Sequence, residues 1–286
     1  MYSRIAFAFV IVVALGIGFE QPSDGQEKEV KFKVQEDVVY SEIDDVKLML
    51  DAYIPRADGK HPAVLVVHGG AWRNGNRNQL SGYAKALAAE GFCCFAIDYR
   101  LAPKHKFPAQ IEDCRSAVKW IRNNADKYNV DPTRLGAIGY SAGGHLVTLL
   151  GTTGEAPSPE TDNIDTRLQA VVAGGAPTDF RWFPDNGKWA TYWMGGDLST
   201  HKENFKLASP AAFVDANDAP TFFFHGSKDA LVPFIWANRG HEALKKAGVK
   251  TEMHKIEDAT HRQAAANPEA LKKAYEFLAA ELKNSK

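Results

Sequence analysis

From Lys31 to Leu282 the chain alternates short apolar runs with longer stretches in which apolar residues return every three or four positions. Two opening segments, Lys31 to Tyr40 (KFKVQEDVVY) and Val46 to Tyr53 (VKLMLDAY), alternate polar and apolar residues across the turn Ile43-Asp44-Asp45. That period of two predicts a half-exposed antiparallel hairpin. Ala63 to Val67, Phe92 to Ile97, Leu135 to Ile138, Leu168 to Ala173 and Thr221 to Phe224 are apolar with little interruption. Such runs predict strands covered on both faces in a parallel sheet, and Val249 to Ile256 adds an alternating strand. Between them, Leu80 to Glu90 carries Ala84, Leu87 and Ala88 on one face and stops at Gly91, while Phe107-Pro108-Ala109 opens a helix to Asn124. Pro268 to Leu282 predicts an amphipathic closing helix. Strand followed by helix throughout predicts an α/β fold: a doubly wound, mostly parallel sheet with an antiparallel N-terminal hairpin, in one domain over residues 29–286.

One segment breaks the rhythm. Pro177 to Ala212 holds Phe180, Trp182, Phe183, Trp189, Tyr192, Trp193 and Met194 outside any regular apolar period. The expectation is a small lid-like insertion or pocket wall that brings Trp182, Trp189 and Trp193 to a substrate; the alternative is a satellite core beneath a long loop. Thr152 to Thr166, with Pro157 and Pro159, is a second irregular loop.

Composition changes the picture little. The chain has 286 residues, 45% hydrophobic, with a formal net charge of −1, and no basic excess that suggests nucleic acid. Ile5 to Phe19 is an uncharged run after Arg4, too short for a span of roughly 20 residues but of the length of a secretory h-region. Residues 1–28 therefore predict a signal peptide with a polar linker, an exported chain, periplasmic or secreted, and no stable membrane span in the mature protein. Cys93, Cys94 and Cys114 form no disulfide framework or metal-ligand spacing, so buried free thiols and no metal or cofactor are expected.

The chemistry concentrates at Leu135 to His145, LGAIGYSAGGH. An apolar strand runs into Gly139-Tyr140-Ser141-Ala142-Gly143, and apolar residues then recur at helical spacing. This is the pattern of a nucleophile elbow, in which Ser141 occupies a strained turn and the flanking positions must be small. A serine hydroxyl needs a base to take its proton, and that base needs a carboxylate to hold its tautomer. In this strand-turn-helix setting the chain order is serine, acid, histidine. Of nine histidines, His261 has the right address, in the loop between the strand ending at Ile256 and the last helix; His254 falls within that strand and His241 on a helix. Asp229 lies just past the strand ending at Phe224, whereas Asp215, Asp218 and Asp258 read as solvated loop residues or caps.

Four stretches together, HGGAW (68–72), DYRLAP (98–103), GYSAGGH (139–145) and HGSKDALVP (225–233), resemble the α/β-hydrolase serine esterases and lipases. The resemblance spans roughly residues 45 to 285 and is nearest to the hormone-sensitive-lipase-like and feruloyl or acetyl-xylan esterase-like carboxylesterases. Tyr140 stands where the lipase-like branch has Asp, and HGGA stands for HGGG; both variants occur in the feruloyl-esterase-like and formamidase-like branches. The resemblance implies an oxyanion hole from the N–H groups of Gly70, Ala71 and Ala142, with His68 bracing the loop, and adds Trp72 and Tyr140 to the pocket. The activity expected is hydrolysis of a small to medium ester, free or polysaccharide-linked, through an acyl-serine. An arylformamidase-like or peptidase-like hydrolase, or a non-catalytic binding protein on the same fold, is the alternative.

Overall fold

The structure, a computed structural model, describes residues 31–43, 45–155, 163–182 and 188–283. The expected leader, residues 1–28, lies outside the described residues, as do Pro157, Pro159 and Phe183. Among the described residues the apolar runs form β1 (Phe32–Ile43), β2 (Val46–Pro55), β3 (His61–Val67), β4 (Cys93–Ile97), β5 (Val130–Tyr140), β6 (Ala170–Gly174), β7 (Thr221–Gly226) and β8 (Thr251–Ile256). They make one sheet in the order β1-β2-β4-β3-β5-β6-β7-β8. β2 pairs antiparallel with β1 and β4, and the other pairs are parallel.

The inner strands β3, β4, β6 and β7 are buried on both faces, and the period of two separates their side chains into two cores. Ala63, Leu65 and Val67 enter one cluster, Val64 and Val66 the other, and the adjacent Cys93 and Cys94 are split in the same way. Each fully buried Leu or Val contributes on the order of 2 kcal/mol. All three cysteines are buried and free. Helices α1 (Ser81–Ala89) and α8 (Pro268–Lys283) cover one face, α2 (Ala109–Asn123) and α3 (Ala142–Thr153) the other. α6 (Phe234–Lys246) joins the latter through Leu244.

Element existence follows the hydrophobic pattern; the boundaries follow pairing. β5 begins five residues before the expected Leu135, because Val130 already pairs with His61 across β3. β6 and β8 begin two residues later than expected, at the first residues with a parallel neighbour, Ala170 beside Gly136 and Thr251 beside Thr221.

Residues 177–212, expected as a lid-like insertion or pocket wall, send several of their described side chains into the core. They fold into α4 (Lys188–Met194), α5 (Lys202–Leu207) and a short 3-10 turn, and Phe180, Trp193, Met194 and Phe205 are buried in the main cluster. The aromatics lacked a regular period because they reach an existing core from two short helices and the loops around them instead of forming one long face.

The strand order also opens the site. β4 and β5 lie on opposite sides of β3, and the chain leaves β3 toward α1 on one face but leaves β5 toward α3 on the other. The loops diverge at this reversal, and a crevice forms outside the carboxyl ends of the two strands.

Candidate active site

At the end of β5, Ser141 has φ 57° and ψ −120°, in a region that non-glycine residues seldom occupy. The backbone is held there from both sides: Ser141 N–H donates to Gly174 O at 2.7 Å and His145 N–H to Ser141 O at 2.9 Å. The elbow glycines are a matter of space. A Cβ on Gly139 would lie 2.4 Å from the Gly143 carbonyl, and one on Gly143 only 1.9 Å from Val67 O.

Asp229, in the loop after β7, is fixed by its own turn. Its Oδ1 accepts the N–H groups of Leu231 at 3.0 Å and Val232 at 2.8 Å, leaving Oδ2 for His261 Nδ1 at 2.5 Å. Burial alone would raise this carboxyl, but hydrogen bonds from His225, His261 and Val232 outweigh it and hold the group well below the usual carboxylate range. His225 is wholly buried; its Nε2–H donates to Val232 O at 2.7 Å, with that nitrogen 3.2 Å from Asp229 Oδ2.

His261 is not in a loop, as expected, but is the first residue of α7 (His261–Ala265), which a Thr260–Gln263 capping box starts. Tyr140 donates its hydroxyl to the His261 carbonyl and packs its ring against the imidazole, centroids 5.0 Å apart. Tyr83 holds the far end of α7 through Ala265 O at 2.5 Å. Glycine again makes room, since a Cβ on Gly175, at φ +55°, would meet His261 Cε1 at 3.0 Å. His254 and His241 lie on β8 and α6, away from this cluster.

The loop after β3 carries a second strained stretch, with Gly70 at φ 109°, Ala71 at 51° and Trp72 at 59°. None of the N–H groups of Gly70, Ala71 and Ala142 donates to a described residue, and all three residues line the cavity that contains Ser141. Buried His68 braces the loop: Nδ1–H donates to Gly69 O at 2.7 Å and the ring stacks on Tyr99 at 4.2 Å. Burial lowers its pKa, which keeps the ring neutral. From α4, Tyr192 donates its hydroxyl to the Ala71 carbonyl. Trp193 stacks on Trp72 with centroids 3.8 Å apart and planes within 3°, and Trp72 Nε1–H donates to His145 Nδ1 at 3.2 Å.

These loops enclose a cavity of about 820 Å³ in which Ser141, His261, Gly70, Ala71 and Ala142 all face the same space. Of the pocket residues expected, Trp72 and Tyr140 line it. Trp193 does not: it is fully buried behind Trp72. Trp182 does not line it either; it is 69% exposed, with Arg239 5.8 Å over its ring. The side chain of Trp189 lies outside the described residues. The apolar wall comes from Leu80, Leu231, Val232, Pro233 and Trp236, and among the described residues of 177–212 only Pro177 lines it. Leu231-Val232-Pro233 begins two residues after the acid, the one local signal that could have pointed to it. Among the described residues no group of three or more His, Cys, Asp or Glu is placed to hold a metal ion. No helix among them is long and apolar enough to cross a membrane.

A mostly parallel eight-stranded sheet with an antiparallel entry hairpin, and a serine elbow beside a histidine–aspartate pair at its carboxyl edge, define an α/β-hydrolase. The chain belongs to the BD-FAE family, whose model matches residues 50–244. It is similar to Esterase LipC of Mycobacterium tuberculosis, 35% identical over 64% of this chain and 48% of that protein. The chain spans about half the length of the curated relatives it matches. Among solved structures, the butyrate-bound esterase Est2 of Thermogutta terrifontis is 28% identical, with a TM-score of 0.75 over 90% of this chain and 97% of that one. A truncated carbohydrate esterase from gut microbiota shares the fold, with a TM-score of 0.81 at 24% identity over 90% of this chain and 99% of that one.

Proposed function

We propose that the protein is a serine carboxylesterase working through an acyl-serine intermediate. The observation that carries this reading is the 2.5 Å contact of His261 Nδ1 with Asp229 Oδ2, on a histidine that shares one cavity with a serine at φ 57°. Asp229 fixes the Nδ1–H tautomer, so Nε2 carries the lone pair. That nitrogen takes the Ser141 proton as Oγ attacks the ester carbonyl, then returns it to the departing alcohol oxygen. Water repeats the cycle on the acyl-serine and releases the acid. Charge developing on the carbonyl oxygen is met by the N–H groups of Gly70, Ala71 and Ala142; one such donor is worth roughly 3–4 kcal/mol. Structures of Est2 phosphorylated by paraoxon and bound to butyrate support the same class of chemistry here.

The test is Ser141→Ala, which removes one hydroxyl and touches no packing. Turnover of p-nitrophenyl esters is expected to fall by at least about 10⁴-fold while thermal stability stays the same. A fluorophosphonate should label the wild type at Ser141 alone. More than a few per cent of residual, purified activity in the variant rules the mechanism out.

A further inference from the structure

Six of the described arginines, Arg77, Arg100, Arg122, Arg134, Arg167 and Arg181, form ion pairs with carboxylates. Arg73 and Arg262 form no ion pair with any described residue, yet both line the cavity that contains Ser141 and His261. Among the described residues no Asp or Glu lines that cavity. Asp229, behind His261, has a wholly buried side chain whose two oxygens are already engaged by Leu231, Val232 and His261. The formal net charge of the chain is −1, so two arginines that line one cavity without an ion-pair partner among the described residues are a local feature of the site.

A ring holds the Arg73 cation, and the helix backbone places Arg262. The Arg73 guanidinium lies 5.2 Å over the ring of Tyr192, whose hydroxyl is tied to the Ala71 carbonyl beside it. Arg262 directly follows His261 as the second residue of α7, whose start the Thr260–Gln263 capping box fixes. One cation therefore stands beside the oxyanion loop and the other beside the base. A guanidinium offers a planar fork of donors that matches a carboxylate.

We infer that the preferred substrates are esters bearing a carboxylate a few bonds from the scissile carbonyl, and that Arg73 and Arg262 bind it. This deepens the esterase reading and rests on it. Two matched pairs test it: p-nitrophenyl butyrate against mono-p-nitrophenyl succinate, with the charge on the acyl side, and phenyl acetate against 3-carboxyphenyl acetate, with the charge on the alcohol side. Each ratio of kcat/KM is normalised to alkaline hydrolysis of the same esters. In at least one pair the anionic ester is expected to be favoured by about fivefold or more at about 20 mM salt, and about 0.5 M salt should reduce that preference several-fold. Arg73→Gln/Arg262→Gln should reduce the ratio about fivefold or more, and neither side chain is buried, so the fold survives. Ratios at or below one in both pairs, or a preference that persists in the double variant, overturn the inference while turnover of the neutral esters leaves the esterase reading intact. If no ester of the four is hydrolysed in a Ser141-dependent way, both readings fall.

Discussion

The nucleophile elbow and the loop after β3 face each other across the cavity, and each holds a non-glycine residue at positive φ: Ser141 at 57° and Ala71 at 51°. They are held by different means. Ser141 is held by its own neighbourhood, with Gly139 and Gly143 two residues away on either side and β5 and α3 joined directly to it. Ala71 is held by side chains more than a hundred residues away, Tyr192 on its carbonyl and Trp193 stacked beneath Trp72. Backbone strain persists only where the surroundings over-determine it. Local glycines can do this because they let helix and strand approach within contact distance; a loop without that option needs a remote buttress. Residues 177–212, which resemble a lid in composition, serve as that buttress.

Substitutions distinguish the two modes of support. Gly143→Ala should be the most damaging, because its Cβ would lie 1.9 Å from a backbone oxygen that cannot swing aside. A loss of Tm on the order of 10 °C, or failure to fold, is expected by scanning calorimetry. A normal Tm would mean the elbow is looser than its geometry implies. Trp193→Ala should cost roughly 3–5 kcal/mol in denaturant unfolding and lower kcat for short and bulky esters alike, since it removes a core side chain under the loop. Trp182→Ala, at a 69% exposed position, should leave stability within about 0.5 kcal/mol. A change in short-to-bulky ester preference with Trp193→Ala and no loss of stability would return Trp193 to the pocket wall.

The two sides also respond differently to acid. His145, wholly buried behind Trp72, is pushed down to about 4 by burial, with its Nε2–H donating to Ala208 O at 2.7 Å. A histidine with a depressed folded pKa binds fewer protons folded than unfolded, so stability falls as pH drops from about 6.5 to about 4, by roughly 3 kcal/mol. Asp229 has a folded pKa below its unfolded one, so its contribution is complete above the ordinary carboxylate pKa and is lost only at lower pH. The Trp72–His145 contact should therefore weaken before the Asp229 one. Urea unfolding free energies measured between pH 7 and 4.5 check the order; a flat profile would contradict a neutral, buried His145. A smaller effect than for Gly143→Ala or Trp193→Ala is expected for Tyr192→Phe. Losing one hydroxyl on the Ala71 carbonyl should lower kcat about three- to tenfold with KM nearly unchanged and Tm within about 3 °C. If KM rises instead while kcat holds, Tyr192 contacts substrate and does not position the loop.

Much of this molecule was legible along the chain because its signals are short-range. Apolar periods located the buried strands and amphipathic helices, since covering a strand on both faces requires a continuous run and covering a helix on one face requires a period near 3.6. Gly139, Ser141 and Gly143 marked the elbow by their spacing: the conflict at Gly139 is with Gly143 within five residues, although the one at Gly143 is with Val67 on the neighbouring strand. Asp229 and His261 could be singled out because each directly follows a strand at the carboxyl edge, although only the fold brings them within 2.5 Å. Strand ends, the pocket wall and the purpose of 177–212 were decided by tertiary structure alone. β5 starts where His61 waits for a partner, and the cavity is lined by Leu80, Leu231 and Trp236 from three loops and helix starts that diverge at the sheet's reversal point. Whether a tryptophan faces substrate, solvent or another tryptophan depends on what stands opposite it; for Trp193 that partner is Trp72, at a sequence distance over which no local pattern carries information.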